Sequence, residues 1–189
     1  MSDGHVLILG GARSGKTGFA ERLAMRLGKR PAYLATATAL DDEMRDRVRA
    51  HQAQRSAHFT TLEEPINLPA AIAASARQND VILVDCLTLW ITNLLGAGID
   101  VAAAVDELTS VLSKVETARV ILVSNEVGLG IVPDNPLART FRDLAGAAHQ
   151  RLAEICDDAY FVVAGMPMVL KGDPPPTGQP EPGNGRHQA

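Results

Sequence analysis

The chain has 189 residues, a net charge of −4 and an ordinary apolar share, which suits one domain built on a single core. The acidic balance, with no block of Lys or Arg, argues against a nucleic-acid motor, which needs a basic stripe for the phosphate backbone. Two cysteines, Cys86 and Cys156, do not make a disulfide framework, and no apolar run is long enough to cross a bilayer, so a cytoplasmic protein without a membrane span is expected.

In chain order, Val6-Leu7-Ile8-Leu9 is a short apolar run of the kind that forms a buried strand. Thr17 to Leu27 follows as a helix, with Phe19, Leu23 and Leu27 on one face. Pro31 to Thr36 reads as a second strand and Asp41 to Gln54 as a polar helix. Val81 to Asp85 is a strongly apolar strand. Leu87–Leu95 and Val101–Val115 make two helices separated by Gly96-Ala97-Gly98. Arg119 to Ser124 is a strand. Asn135-Pro136 opens a helix that runs to about Cys156, with Pro at the favoured first position and Leu137, Phe141, Leu144, Ala148, Leu152 and Ile155 as its core stripe. Ala159 to Ala164 is expected as the last strand. Short apolar strands separated by helices predict an α/β fold of the P-loop NTPase kind, a mostly parallel sheet with helices on both faces. Residues 1–171 are expected to form this single domain. Residues 172–189, rich in Pro and Gly, are expected to form a disordered tail outside it.

The junction between the first strand and helix carries the chemistry. Gly10-Gly11-Ala12-Arg13-Ser14-Gly15-Lys16-Thr17 fits G-x-x-x-x-G-K-[ST] in the right context, after a strand and into a helix. Glycines let successive backbone N–H groups turn inward on phosphate oxygens, and the helix N-terminus adds partial positive charge there. Lys16 can then reach the β- and γ-phosphates, and the Thr17 hydroxyl can ligate Mg²⁺. Asp85 ends an apolar strand, which in a parallel sheet brings it to the ligand edge as a second Mg²⁺ ligand; the alternative is a helix N-cap. In the polar helix, His51 lies four residues from both Arg47 and Arg55. That spacing suits either a nucleophile facing a polyphosphate or a surface histidine on a solvated helix, and spacing alone leaves both open. Asn125-Glu126-Val127-Gly128-Leu129-Gly130 follows a strand directly, so it forms either part of the ligand rim or a solvated connector.

Together these segments resemble the bifunctional adenosylcobinamide kinase / adenosylcobinamide-phosphate guanylyltransferase family of cobalamin biosynthesis. The resemblance runs from Leu7 to Lys171. It rests on GGARSGKT, YLATA, LDDEMRDRVRAHQAQR, TLEEP, VDCLTLWITNLL, SNEVGLGIVPDNPLARTFRDLAG and GMPMVLK. It implies that a nucleoside triphosphate, GTP or ATP with Mg²⁺, phosphorylates adenosylcobinamide, and that GTP then transfers GMP to the product through a GMP-histidine intermediate. By position in the motif that histidine is His51. The resemblance also implies nucleotide contacts at the P-loop residues, at Thr36, Ala37 and Thr38, at Gln52, Ala53, Gln54 and Arg55, at Glu63 and at Asp85. Where the family commonly has Asn-Gln in its last helix, this chain has His149-Gln150, and Thr17 stands where Ser is more usual. A homo-oligomer is expected, because a corrinoid is large for one small cleft.

Three rival readings differ in class. A plain P-loop kinase would leave His51 idle. A GTP-dependent switch would carry an Asn-Lys-x-Asp guanine motif and an Asp-x-x-Gly after the metal strand, and this chain has neither. A DNA-dependent ATPase would need interleaved aromatic and basic residues.

Overall fold

The computed structural model describes residues 4–37 and 58–176. The polar helix expected over 41–54, with His51 and its flanking arginines, lies outside the described residues. So does the chain from 177 onward.

A strand, β1 (Val6–Gly10), runs through the P-loop into α1 (Lys16–Leu27) and on to β2 (Pro31–Ala35). Then come β3 (Thr60–Glu63), α2 (Leu68–Ser75) and β4 (Val81–Asp85). Two helices, α3 (Leu87–Gly96) and α4 (Val101–Leu112), precede β5 (Arg119–Asn125). The long α5 (Pro136–Ile155) leads to the hairpin of β6 (Asp158–Val163) and β7 (Met166–Lys171).

All seven strands form one sheet in the order β3-β2-β4-β5-β1-β6-β7. Every pair is parallel except β6–β7. Period-2 alternation divides each central strand between two cores. Val6, Ile8, Tyr33, Leu83, Ile121 and Val123 meet Phe19, Ala20 and Leu23 of α1 on one face. Leu7, Leu34, Ile82, Val84, Val120 and Leu122 meet α2, α3, α4 and α5 on the other. The expected α/β architecture with helices on both faces is what the chain forms. Among the described residues no helix is long and apolar enough to cross a membrane.

Three elements depart from expectation. Thr60–Glu63 adds an outer parallel strand beside β2, exposed at every residue, so it carries no apolar pattern to read. Leu68–Ser75 is a short helix dominated by alanine, with Pro in its first turn and little periodic contrast. The run ending at Val163 is not the last strand. Ala164 and Gly165, both at positive φ (51° and 79°), make a two-residue hairpin turn into β7. In α5 the expected stripe holds from Phe141 to Ile155, but Leu137 at its start is 64% exposed, and His149 is buried instead.

Residues 172–176, expected to lie outside the fold, are tied to it. The Tyr160 hydroxyl donates to Asp173 O at 2.8 Å, Asp173 N–H donates to Asp158 Oδ1 at 3.0 Å, and Arg26 donates to the Pro176 carbonyl. Asp158 also pairs with Arg119 at 2.6 Å, which joins the starts of β5 and β6 across β1.

Candidate active site

The carboxyl ends of β4, β5 and β1 are neighbours in the sheet, so Asp85, Asn125 and Gly10 come to one edge, where parallel α/β sheets bind ligands. Gly10 opens the P-loop at a point with no room for a side chain. An added Cβ would stand 2.6 Å from Ser14 Oγ and 2.7 Å from Val162 O. Arg13 (φ 56°) and Gly15 (φ 90°) bend the loop so that α1 begins at Lys16. Gly165 of the β6–β7 turn donates its N–H to Ser14 O at 2.7 Å, buttressing the loop from outside. Ser14 Oγ is buried without a hydrogen-bond partner among the described residues of the protein.

Lys16 is buried at the loop's centre, where Nζ donates to Gly11 O at 3.1 Å. Burial pulls its ammonium below the usual range, and the nearby Cys86 and Asp85 pull it partly back. A desolvated cation of this kind forms strong, charge-assisted hydrogen bonds to the oxygens it meets. Thr17 Oγ1 donates to Asp85 Oδ2 at 3.2 Å, and the Tyr33 hydroxyl donates to the same oxygen at 2.6 Å. The helix N-cap alternative for Asp85 does not hold: the cap of α3 is Cys86, without a side-chain cap bond, and the carboxylate faces α1 instead.

Thr36 takes a bracing position. Its hydroxyl donates to Cys86 O at 2.8 Å and accepts from Cys86 N–H at 2.9 Å, fully buried. Ala37 lies two residues beyond the end of β2. Glu63 ends β3 in register with Ala35, which is itself in register with Asp85, so all three lie along one sheet edge. Thr38, His51, Gln52, Ala53, Gln54 and Arg55 lie outside the described residues.

Sequence reasoning missed Tyr33, Gly165 and the pairing of Ser124 with His149. Tyr33 carries the one hydroxyl in Pro31–Ala35, which is the signal that could have found it. His149 Nε2 meets Ser124 Oγ at 2.7 Å, and its Nδ1 lies 3.9 Å from Glu126 Oε2. Burial pushes this imidazole below its ordinary pKa, with Glu126 opposing. Glu126 N–H donates to Gly10 O at 3.0 Å, so the residue after β5 is tied to the first residue of the P-loop. Asn125 Nδ2 donates to Thr88 Oγ1 at 3.0 Å, tying β5 to α3.

A chain that turns a phosphate-cradling loop onto a helix end, opposite a strand-end carboxylate, is a P-loop nucleotide-binding α/β protein. One solved Pyrococcus horikoshii OT3 structure shares the fold, with a TM-score of 0.54 at 13% identity over 90% of this chain and 87% of that one. Sequence comparison narrows the class. Residues 6–170 match the family described as cobinamide kinase / cobinamide phosphate guanyltransferase, and the chain belongs to it. It is 50% identical to the bifunctional adenosylcobalamin biosynthesis protein CobP of Pseudomonas aeruginosa, over 89% of this chain and 98% of that protein. It is 42% identical to the bifunctional adenosylcobalamin biosynthesis protein CobU of Salmonella typhimurium, over 88% and 99%, and 38% identical to CobU of Escherichia coli over the same shares.

Proposed function

We infer that this bifunctional cobinamide kinase and cobinamide phosphate guanyltransferase of adenosylcobalamin biosynthesis carries out both reactions at the one P-loop. A nucleoside triphosphate, GTP or ATP, phosphorylates the hydroxyl on the aminopropanol arm of adenosylcobinamide. GTP then transfers GMP to that phosphate, giving adenosylcobinamide-GDP and pyrophosphate. The observation that carries this reading is the convergence of Lys16, Thr17, Asp85 and Tyr33 at one sheet edge, in a chain matched to the family over residues 6–170.

In the second reaction His51 attacks the α-phosphorus of GTP. A P–N bond forms, the α–β P–O bond breaks, and pyrophosphate leaves. The phosphorylated cobinamide then attacks the phosphoramidate and restores the imidazole. Attack requires a neutral His51, so acid slows it. Lys16 and the loop amides face the charge that grows on the leaving pyrophosphate. In the kinase step the same groups hold the β- and γ-phosphates. Contacts from Thr36 to Thr38, from Gln52 to Arg55 and from Glu63 belong to this reading.

Mg²⁺ belongs to it as well. Thr17 Oγ1 and Asp85 Oδ2 are hard oxygen donors 3.2 Å apart, the sparse protein set that nucleotide-bound Mg²⁺ uses with phosphate and water completing its shell. When bound, the ion neutralises charge on the phosphates. A cytoplasmic location and a homo-oligomer complete the reading. Leu129, Ile131 and Val132 stand exposed beside the rim, where a second copy would cover them.

The test uses GTP labelled at the α-phosphate and intact-protein mass measurement. Wild type is expected to gain one GMP through an acid-labile, base-stable bond. His51→Ala is expected to gain none and to keep phosphorylating adenosylcobinamide, whereas Lys16→Ala loses both activities. An adduct on His51→Ala would move the nucleophile to another residue.

A further inference from the structure

Glu126 stands at the carboxyl end of β5, beside the residue that opens the P-loop. Its backbone N–H is bonded to the carbonyl of Gly10, the residue that opens the P-loop, and Asn125 beside it is in register with Gly10. The side chain is partly exposed at 22%, enough to touch a ligand and little enough to hold a fixed pose. One carboxylate oxygen, Oε1, accepts the N–H of Gly128 and fixes the turn after β5. The other, Oε2, lies 3.9 Å from His149 Nδ1. Behind it His149 is buried on α5 and anchored through Nε2 to Ser124 Oγ, one of the buried polar atoms of β5. A strand-end carboxylate beside a P-loop, backed by a buried imidazole that is itself held by a serine, is the arrangement of an oriented base.

We propose that Glu126 is the catalytic base of the phosphoryl-transfer step, and that His149, held by Ser124, is its positioning residue. The proposal rests on the two-step reading above. The Glu126 carboxylate takes the proton from the acceptor hydroxyl as that oxygen bonds to the γ-phosphorus. The bond from the γ-phosphorus to the β,γ-bridging oxygen breaks, and the nucleoside diphosphate leaves. The carboxylic acid then returns its proton to solvent from its exposed edge. The guanylyl step needs no such base at this point, because its acceptor is already an ionised phosphate.

Among the described residues, Glu126 is the one charged group that His149 meets. On α5 Arg139 donates to the carbonyls of Pro133 and Asp134, Arg142 pairs with Asp143, Arg151 pairs with Asp106 of α4, and Glu154 lies at the helix's C-terminal end. Glu107 of α4 is the remaining charge on that helix, α3 has no titratable side chain, and Arg119 of β5 lies at the strand's other end in its pair with Asp158. Protonation of His149 therefore acts first on Glu126, pairing with it and weakening it as a base.

The experiment measures the two half-reactions separately on folded full-length protein: phosphorylation of adenosylcobinamide by ATP, and GMP-adduct formation from α-labelled GTP. Glu126→Gln keeps the shape and the Gly128 contact. It is expected to lower kcat for phosphorylation about 100-fold while KM for ATP stays close to wild type and the adduct still forms. His149→Asn keeps a polar partner for Ser124 but does not titrate. It is expected to move the acid limb of the phosphorylation kcat–pH profile to lower pH, which a purely structural histidine would not do. Phosphorylation by Glu126→Gln at the wild-type rate, equal loss of both half-reactions, or an unmoved acid limb in folded His149→Asn overturns the proposal. Failure of wild type to phosphorylate at all would instead sink the two-step reading on which it rests.

Discussion

Tyr33 is a buried phenol in a strand whose other members are small or aliphatic, and its hydroxyl ends 2.6 Å from Asp85 Oδ2. That bond and the one from Thr17 fix the carboxylate against the start of α1. A hydrogen bond to a charged acceptor contributes about 1.5–3 kcal/mol, and losing this one frees Asp85 to rotate away from Thr17. Tyr33→Phe is therefore expected to lower kcat/KM of both reactions by about tenfold and to raise the Mg²⁺ concentration needed for half-maximal rate. A Mg²⁺ titration of the variant checks this, and an unchanged titration would remove Tyr33 from the site. Legibility differs sharply at this scale. Lys16, Thr17 and Asp85 announce themselves by spacing and by position at a strand end. Tyr33 does not, because its role depends on β2 lying next to β4, a pairing between strands separated by more than forty residues.

At the scale of elements, the hairpin of β6 and β7 supports the P-loop. Gly165 occupies φ 79°, a region side chains with branched Cβ atoms avoid, and its N–H reaches Ser14 O. Gly15, itself at φ 90°, would bring a Cβ within 3.0 Å of Gly165 Cα, so the two glycines meet face to face. Gly165→Val is expected to cost about 1–3 kcal/mol of stability through backbone strain. It is also expected to raise the nucleotide KM by shifting the loop, whereas Ala164→Gly, which relaxes the neighbouring positive φ, spares both. Urea unfolding with steady-state kinetics on the two variants checks it. A variant as stable and as tight as wild type would show that the turn does not support the loop. The strand that forms this turn was hidden in the sequence. Met166–Lys171 lacks alternation, contains Pro167 and stays largely exposed as an edge strand, so neither periodicity nor burial marks it.

Across the whole molecule, the boundary of the folded unit follows contacts rather than composition. Asp173 is bound by Tyr160 and Asp158, and Pro176 by Arg26, although both lie in the Pro/Gly-rich stretch. Truncation after Pro176 is expected to leave the thermal midpoint unchanged, since residues 177–189 have almost no apolar side chains to bury. Truncation after Lys171 is expected to lower the midpoint by about 2–8 °C, because it strips a hydrogen-bond donor from the buried carboxylate of Asp158. Equal midpoints for the two truncations would return the boundary to Lys171. The sequence by itself determined the P-loop, the alternation of apolar strands and helices, and hence a parallel sheet with helices on both faces. Those signals are local, set by side-chain periodicity and by glycine geometry within a few residues. Tertiary structure decided the strand order and the partners that order creates. Asp85 took Tyr33 and Thr17 in place of a helix cap, Ser14 gained the support of Gly165, and His149 was drawn from a helix face into contact with Ser124 and Glu126. Each is a pairing of groups far apart in the chain, fixed only when the sheet edge brings the strand ends together.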